Sequence, residues 1–467
     1  MGNPSSEHPD THPDTHPDTH PDTHPDTHPD THSGTEHDPA GEVVEICRDL
    51  IRMDTSNYGD AEGPGERKAA EHVAALLDEV GISSRLYESE PGRTSVVAHW
   101  GGDGSRDDAL LLHGHLDVVP AAAEDWQVDP FSGEVQDGYV WGRGAVDMKD
   151  FDAMLLSVVR ARARAGRVPS RPVVLCFTAD EEAGGHKGAE VLVRDHREEF
   201  DGVTEAVGEV GGFSTTVRGR RMYLIEAAEK GMAWMRLTAR GRAGHGSMLN
   251  TDNAVTRLSG AVARIGAHEW PVRLTPTMQV LLAAVGDLAG VEATPENAPR
   301  LIEEFGGAAR MLGAVISNTT NPTMLGAGYK VNVIPTEATA HVDGRFLPGF
   351  EDEFFATLAE LTGEGVEIEF LSHQQPWETP YDGDLVDAMT RSLLAEDPDA
   401  VVAPYLMSGG TDAKHFRRLG MRSYGFAPLR LPDDLDFTAL FHGVDERVPV
   451  DALEFGARVL DRFLDDV

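Results

Sequence analysis

The residue types best suited to chemistry gather first in His113-Gly114-His115-Leu116-Asp117. Two apart in an extended segment, His115 and Asp117 point to the same side. A carboxylate beside a metal-ligating imidazole can hold the ring's other N–H and set its tautomer. The pair therefore reads as a ligand, His115, with Asp117 as its orienting partner; a polar strand end is the other reading of one His-x-Asp. Further along come Asp147 in Gly144-Ala145-Val146-Asp147-Met148-Lys149, Glu181 and Glu182 after Asp180, then Glu209 and His442. A borderline cation such as zinc takes nitrogen and carboxylate oxygen ligands. Two such ions about 3.5–4 Å apart need one shared carboxylate and a few private ligands each. This set meets that count and leaves one carboxylate to activate water. Taken singly, each of these acids reads as a solvated surface group.

Such residues need elements that bring them together. Ala109-Leu110-Leu111-Leu112 is an apolar run that reads as a buried strand ending at the His113–Asp117 cluster. Arg171–Phe177 reads the same way and runs into Asp180-Glu181-Glu182; a third short strand ends at Gly208-Glu209. Between them, Phe151, Met154, Leu155, Val158 and Val159 mark one face of a helix, and Ala70, Val73, Ala74, Leu77 and Val80, closed by Gly81, mark another. Strands alternating with helices predict an α/β fold with a mostly parallel central sheet. The polar clusters then fall just after strands, where such sheets place their ligands.

From about residue 229 the patterning changes. Ala233, Met235 and Leu237 alternate with polar neighbours, as do Ala338, Ala340 and Val342, which is the signature of half-exposed strands. Helices are predicted over Ala254–Ile265 and Glu296–Leu312 between them. The expected organisation is a tail at 1–40, a catalytic domain in two parts at 41–228 and 347–467, and an inserted α+β lid or dimerisation domain at 229–346. The alternating Val366, Ile368 and Phe370 fall in the resumed catalytic part.

Composition excludes several functions. Acidic residues number 79 against 40 basic, a formal charge of −39, which argues against nucleic acid and anionic membranes as partners. No run of eighteen apolar residues is present, so no membrane span is expected. Two cysteines give no disulfide framework, and the start of the chain lacks the basic and apolar regions of a secretory signal. These points predict a cytoplasmic protein. In the tail, His-Pro-Asp-Thr repeats from His8 to Thr31, with nothing apolar to bury, so it is expected to be disordered; its imidazoles read either as a metal-collecting device or as a solvated repeat.

The chain from about residue 42 onward resembles the M20 metallopeptidases and amidohydrolases, which include glutamate carboxypeptidase, acetylornithine deacetylase, succinyl-diaminopimelate desuccinylase and the Gly-X carboxypeptidases. The motifs that carry the resemblance are those around His115, Gly144–Lys149, Asp180-Glu181-Glu182, Gly244-His245-Gly246-Ser247 and Phe441-His442-Gly443-Val444-Asp445-Glu446. The resemblance implies that His115 and Glu209 hold one metal and Glu182 and His442 the other, with Asp147 bridging. It makes Asp117 the orienting residue and Glu181 the general base. His245 would steady the tetrahedral oxyanion, in dimers from the partner subunit. Asn332 and Arg345 match the family's substrate-facing edge, and Gly410 and Thr411 belong to a Gly-rich substrate loop. Arg345 reads as a fork for a substrate carboxylate, or alternatively as the ion-pair partner of Asp343.

The expected function is hydrolysis of a peptide or N-acyl amide bond next to a free carboxylate, with a metal-bound hydroxide as nucleophile and Glu181 moving the proton. The cofactors would be two divalent ions, zinc with cobalt or manganese as substitutes; the partners, a small-molecule substrate and a second copy in a homodimer. A di-zinc aminopeptidase and a metal-binding protein that has lost turnover are the competing readings. Glu181 and His245 argue against the last, since storage needs neither.

Overall fold

In the computed structural model, which describes residues 38–59 and 63–467, Ala109–His115 is a strand buried along its whole length. It lies between Val173–Thr178 and Val203–Gly208, parallel to both, and Arg422–Gly425 continues the parallel set beyond Val203–Gly208. These four make the centre of a ten-stranded sheet. Ala109–Leu112 and Val173–Phe177 are continuous apolar runs and buried throughout, as strands covered on both faces are. The flanks are antiparallel: Ser84–Glu90 and Arg93–Trp100 on one side, Phe213–Val217 and Arg220–Glu229 on the other. Register decides what meets at the strand ends. His115 pairs with Thr178, so the loop carrying Asp117 lies against the turn carrying Glu181 and Glu182.

Helix Lys149–Arg164 begins two residues after Asp147 and packs against Val43–Ile51 and Val450–Asp466. The predicted apolar face is buried, but so is every other residue from Lys149 to Arg162. Its buried arginines are paired, Arg160 with Glu42 and Glu79 and Arg162 with Asp461 and Asp465, and Lys149 donates to the carbonyls of Leu50 and Met53.

A second sheet of four antiparallel strands takes Gly231–Arg240, Thr319–Ala327, Glu337–Phe346 and Val366–Gln374. Helices Ala254–Ala267 and Glu351–Thr362 bury their apolar sides against it. Two features differ from the expectation at 229–346. The edge strand Val366–Gln374 comes from the stretch assigned to the catalytic part, since alternation reports one exposed face and not which sheet a strand joins. Residues 276–316 lie inside the insertion by sequence, yet Met278, Leu281, Leu282 and Val285 bury themselves in the main core, with Pro276–Ala289 against Val401–Met407. The helix predicted over 296–312 is broken. Ala298–Glu303 and Ala309–Gly313 flank a turn at Gly306, whose φ of 55° favours glycine. The His-Pro-Asp-Thr repeat lies outside the described residues. Among the described residues, no helix is long and apolar enough to cross a membrane.

Candidate active site

Six of the predicted side chains meet where the parallel strands end. His115, 1% exposed, sits at the end of its strand with Nδ1 2.9 Å from the backbone carbonyl of Asp117. A carbonyl only accepts, so Nδ1 carries the hydrogen and Nε2 faces the acids. Nε2 is 3.1 Å from Asp147 Oδ1 and 3.3 Å from Glu209 Oε2. The other oxygen of Asp147 is 3.2 Å from Nε2 of His442, which also lies 3.0 Å from Glu182 Oε2. Asp147 thus spans the two imidazoles, one oxygen to each.

The Asp117 carboxylate does something the sequence did not suggest. It stands 3.5 Å from the His115 ring, where the backbone carbonyl takes the closer contact. Its oxygens accept instead from the backbone N–H groups of Glu181 and Glu182 at 3.0 and 3.1 Å and from Asn57 Nδ2 at 2.8 Å. One buried carboxylate therefore ties the His115 loop to the Glu181–Glu182 turn. Glu446 plays the matching part for Asp147. It is fully buried and accepts from the N–H groups of Gly144, Val146 and Asp147 at 3.1, 2.8 and 3.2 Å and from Arg143 Nη1 at 2.6 Å. Asn57 and Glu446 were not among the predicted site residues. The signal for Glu446 was its place in the terminal motif; nothing near Asn57 in the sequence marks it.

Glu181 is distinct. Its Oε1 is buried without a hydrogen-bond partner, and the nearest ion-pair contact is Lys414 Nζ at 3.9 Å. Burial, then the nearby Glu209, push its carboxyl well above the usual range. Burial likewise raises Glu209 to about 7, offset in part by His115. The His442 ring is raised to about 10 by its bonds to Asp147 and Glu182. A set of buried acids that must borrow protons from imidazoles or keep their own is the donor set a divalent cation neutralises. His115, Asp147 and Glu182 offer ligand atoms within 4.8 Å of one another, as do His115, Glu181 and Glu209. The nitrogen and carboxylate composition fits zinc-type ions.

Asp147, Glu181, Glu182, Glu209 and His442 line one side of a cavity of about 640 Å³. Gly410 and Thr411 line it too. Thr411 is held through its N–H and hydroxyl by Glu229 Oε1, at 3.0 and 2.6 Å. Arg310, Met311 and Ala314, after the break at Gly306, belong to the same lining. Lys230, 3% exposed, anchors that side by donating to the carbonyls of Ala314 and Ser317 at 3.0 and 2.8 Å. The consecutive residues Glu229 and Lys230 thus secure two segments of the lining.

The remaining predicted residues stand apart from the cavity lining. His245 and Asn332 are exposed, on the two-stranded ladder of Gly244–His245 with Val333–Ile334. His245 Nδ1 accepts from the Ser247 N–H at 3.2 Å, which leaves its hydrogen on Nε2 as a donor. Arg345 forks onto Asp343 at 2.7 and 3.2 Å, the second of its two expected roles, and reaches the Ser408 carbonyl at 3.4 Å.

Known proteins resemble this chain over most of its length. The model of peptidase family M20/M25/M40 matches residues 111–466. Human aminoacylase-1 is 29% identical over 435 residues, covering 90% of this chain and 94% of that one. A protein of Xenopus tropicalis named N-fatty-acyl-amino acid synthase/hydrolase PM20D1 is 28% identical over 440 residues, 88% of this chain and 83% of its own. The crystal structure of the metallo-carboxypeptidase Sso-CP2 of Sulfolobus solfataricus superposes with a TM-score of 0.67 at 17% identity, covering 91% of this chain and 98% of that one.

Proposed function

The chain belongs to peptidase family M20/M25/M40, and from that premise we propose that it hydrolyses a peptide or N-acyl amide bond next to a free carboxylate, as a carboxypeptidase or N-acyl-amino-acid deacylase does. The observation that carries the reading is the convergence of His115, Asp147, Glu181, Glu182, Glu209 and His442 around one cavity. Its relatives include an aminoacylase and an N-fatty-acyl-amino acid hydrolase.

His115, Asp147, Glu182, Glu209 and His442 would hold two divalent ions, zinc or in its place cobalt or manganese; when bound, such ions lower the pKa of water and polarise a carbonyl. Glu181 takes a proton from the attacking water and returns it to the leaving nitrogen; its unpartnered Oε1 is free to do so. Asp117 keeps Glu181 and Glu182 in register with His115 through their backbone N–H groups. Gly410 and Thr411 meet the substrate at the cavity wall. His245 offers its Nε2–H to the developing oxyanion. That role requires the second sheet and its insertion to act as a lid, or a second copy to bring His245 in. Exposed Met248, Leu249, Met324 and Leu325, beside His245 in sequence or on the edge strand Thr319–Ala327, support a homodimer through this module. Buried free thiols at Cys47 and Cys176 support a cytoplasmic setting.

The test is a panel of N-acyl amino acids and dipeptides given to purified protein with added zinc, cobalt or manganese, scored by release of the free amino acid and by elemental metal content. The expected result is two ions per chain and turnover of free-acid substrates. Two bound ions without turnover of any member of the panel would contradict the assignment.

A further inference from the structure

The two imidazoles of the centre are held in different ways. His115 is buried at the end of a strand, and its Nδ1 donates to the Asp117 carbonyl. His442 stands in a loop between Phe437–Ala439 and the strand Arg447–Pro449, with its side chain 57% exposed. Its Nε2 meets Asp147 and Glu182, and among the described residues nothing bonds its Nδ1. A ligating imidazole ordinarily gives its second nitrogen to a partner that fixes the ring. Here the backbone has to fix it instead. His442 and Asp445 both take the left-handed region, at φ 57° and 60°, which a residue other than glycine holds only where its surroundings determine it.

Those surroundings converge on Arg143, whose side chain is buried. Its Nη2 donates to the Gly443 carbonyl at 2.8 Å, next to His442, while Nη1 donates to Glu446 at 2.6 Å. Glu446 in turn accepts from the Gly144, Val146 and Asp147 N–H groups. One guanidinium therefore joins the loop of His442 to the loop of Asp147. The fork is itself placed. It lies over the Trp126 ring, 5.1 Å from the centroid, and the next residue, Gln127, donates from its N–H and Nε2 to the two oxygens of Asp445 at 2.8 and 2.7 Å. Trp126 and Gln127 thus grip both the arginine and the loop that it holds. An ammonium lacks the fork, so a lysine that pairs with Glu446 leaves the Gly443 carbonyl without its donor.

We infer that Arg143 is a positioning residue of the centre: it fixes His442 against Asp147 and so sets the affinity for the ion that His442 holds, and it leaves the ion on His115 and Glu209 unaffected. This rests on the two-ion reading above. The selectivity follows from the bonds. Without Arg143, Glu446 keeps its three N–H donors and Asp147 stays in place, so only the His442 side loosens.

The test uses the full-length protein, loaded with zinc and dialysed against buffers of graded free zinc, with the ions retained per chain read by elemental analysis. Wild type should retain two ions. His442→Ala should retain one, whose release curve marks the ion on His115 and Glu209. Arg143→Lys should release that ion as His442→Ala does, and the other at a free zinc about 10–100-fold above wild type, the scale for residues that orient ligands. Arg143→Gln should shift the second ion at least as far. Two curves shifted together would make Arg143 a support of the whole centre, and two unshifted curves would make it an ordinary buried ion pair; either result overturns the inference. Failure of both Arg143 variants to fold in excess zinc also overturns it, by assigning the residue to the fold alone. Wild type that retains fewer than two ions overturns the two-ion reading itself, and this inference with it.

Discussion

On the cavity floor Asp147 and Glu182 are held from several sides, and Glu181 alone is kept with an unpartnered buried oxygen. Asp147 touches both imidazoles, and its loop is pinned by three N–H groups that donate to Glu446; Glu182 meets His442 through one oxygen and the Val119 N–H through the other. The rim is exposed: Arg310, in the cavity lining, has no hydrogen bond or ion pair among the described residues, and His245 and Asn332, outside the lining, lie on and next to a ladder of two residue pairs. The difference has a physical cause. A buried charge left unpaired costs several kcal/mol, so most of the floor is networked and the one unpartnered acid, Glu181, is pushed towards its neutral form. An exposed rim group keeps its water and is free to wait for a substrate, a closing lid or a second subunit. On the proposed function, the floor is where chemistry is built in and the rim is where selection takes place.

That contrast can be broken by experiment. Its most severe test is Glu181→Gln, which leaves the fold and the five other floor residues in place. The rate should fall by roughly 10²–10⁴-fold, the contribution of a general base, with metal content unchanged by elemental analysis. Metal loss would show that Glu181 is a ligand and that its role has been exchanged with that of Glu182.

Asp117→Ala should act on the floor indirectly. The His115 ring keeps its bond to the residue's backbone carbonyl, whereas the Glu181 and Glu182 amides lose their acceptor. Metal affinity, measured by competition with a chelating dye, should weaken about 10–100-fold, as for residues that orient ligands. An affinity equal to wild type would mean that the turn holds itself.

Lys230 connects floor and rim, and its signature is a pH dependence. Burial, then nearby Arg345, lower its pKa from 10.5 to about 7. Between about pH 7 and 10.5 the unfolded chain binds more protons than the folded one, so this group makes stability rise with pH across that window. Lys230→Met should remove that rise in denaturant titrations at pH 7 and pH 9. It should also cost about 1–3 kcal/mol at the higher pH, for the buried carbonyls left without a donor. The same slope in variant and wild type would assign it to other groups.

The smallest effect is expected at the amino terminus. Removing residues 1–40 should leave kcat unchanged at saturating metal, because the repeat offers nothing apolar to pack. A large fall in kcat under those conditions would make the tail part of the enzyme.

The sequence revealed the floor more fully than the rim, for reasons visible in particular residues. Ala109–Leu112 and Val173–Phe177 are apolar runs that stop at polar clusters, and that local pattern suffices to place His115 and Glu181 at strand ends. Asn57 and Glu446 act across 60 and about 300 residues of chain, and no local period records such a contact. The strand Val366–Gln374 alternates equally well for either sheet; only its pairing with Gly231–Arg240 assigns it. The break at Gly306, which sets Arg310 at the cavity, hides inside a stretch whose apolar spacing reads as one continuous helix.

The central claim is that the strand-end cluster is a metal-dependent amide-hydrolysing centre. It is tested most directly by removing metal with a chelator, verifying its absence by elemental analysis, and following hydrolysis of an N-acyl amino acid as zinc or cobalt is returned. The account predicts no turnover in the stripped protein and recovery that saturates at two ions per chain. Full turnover by protein shown to be metal-free would contradict it.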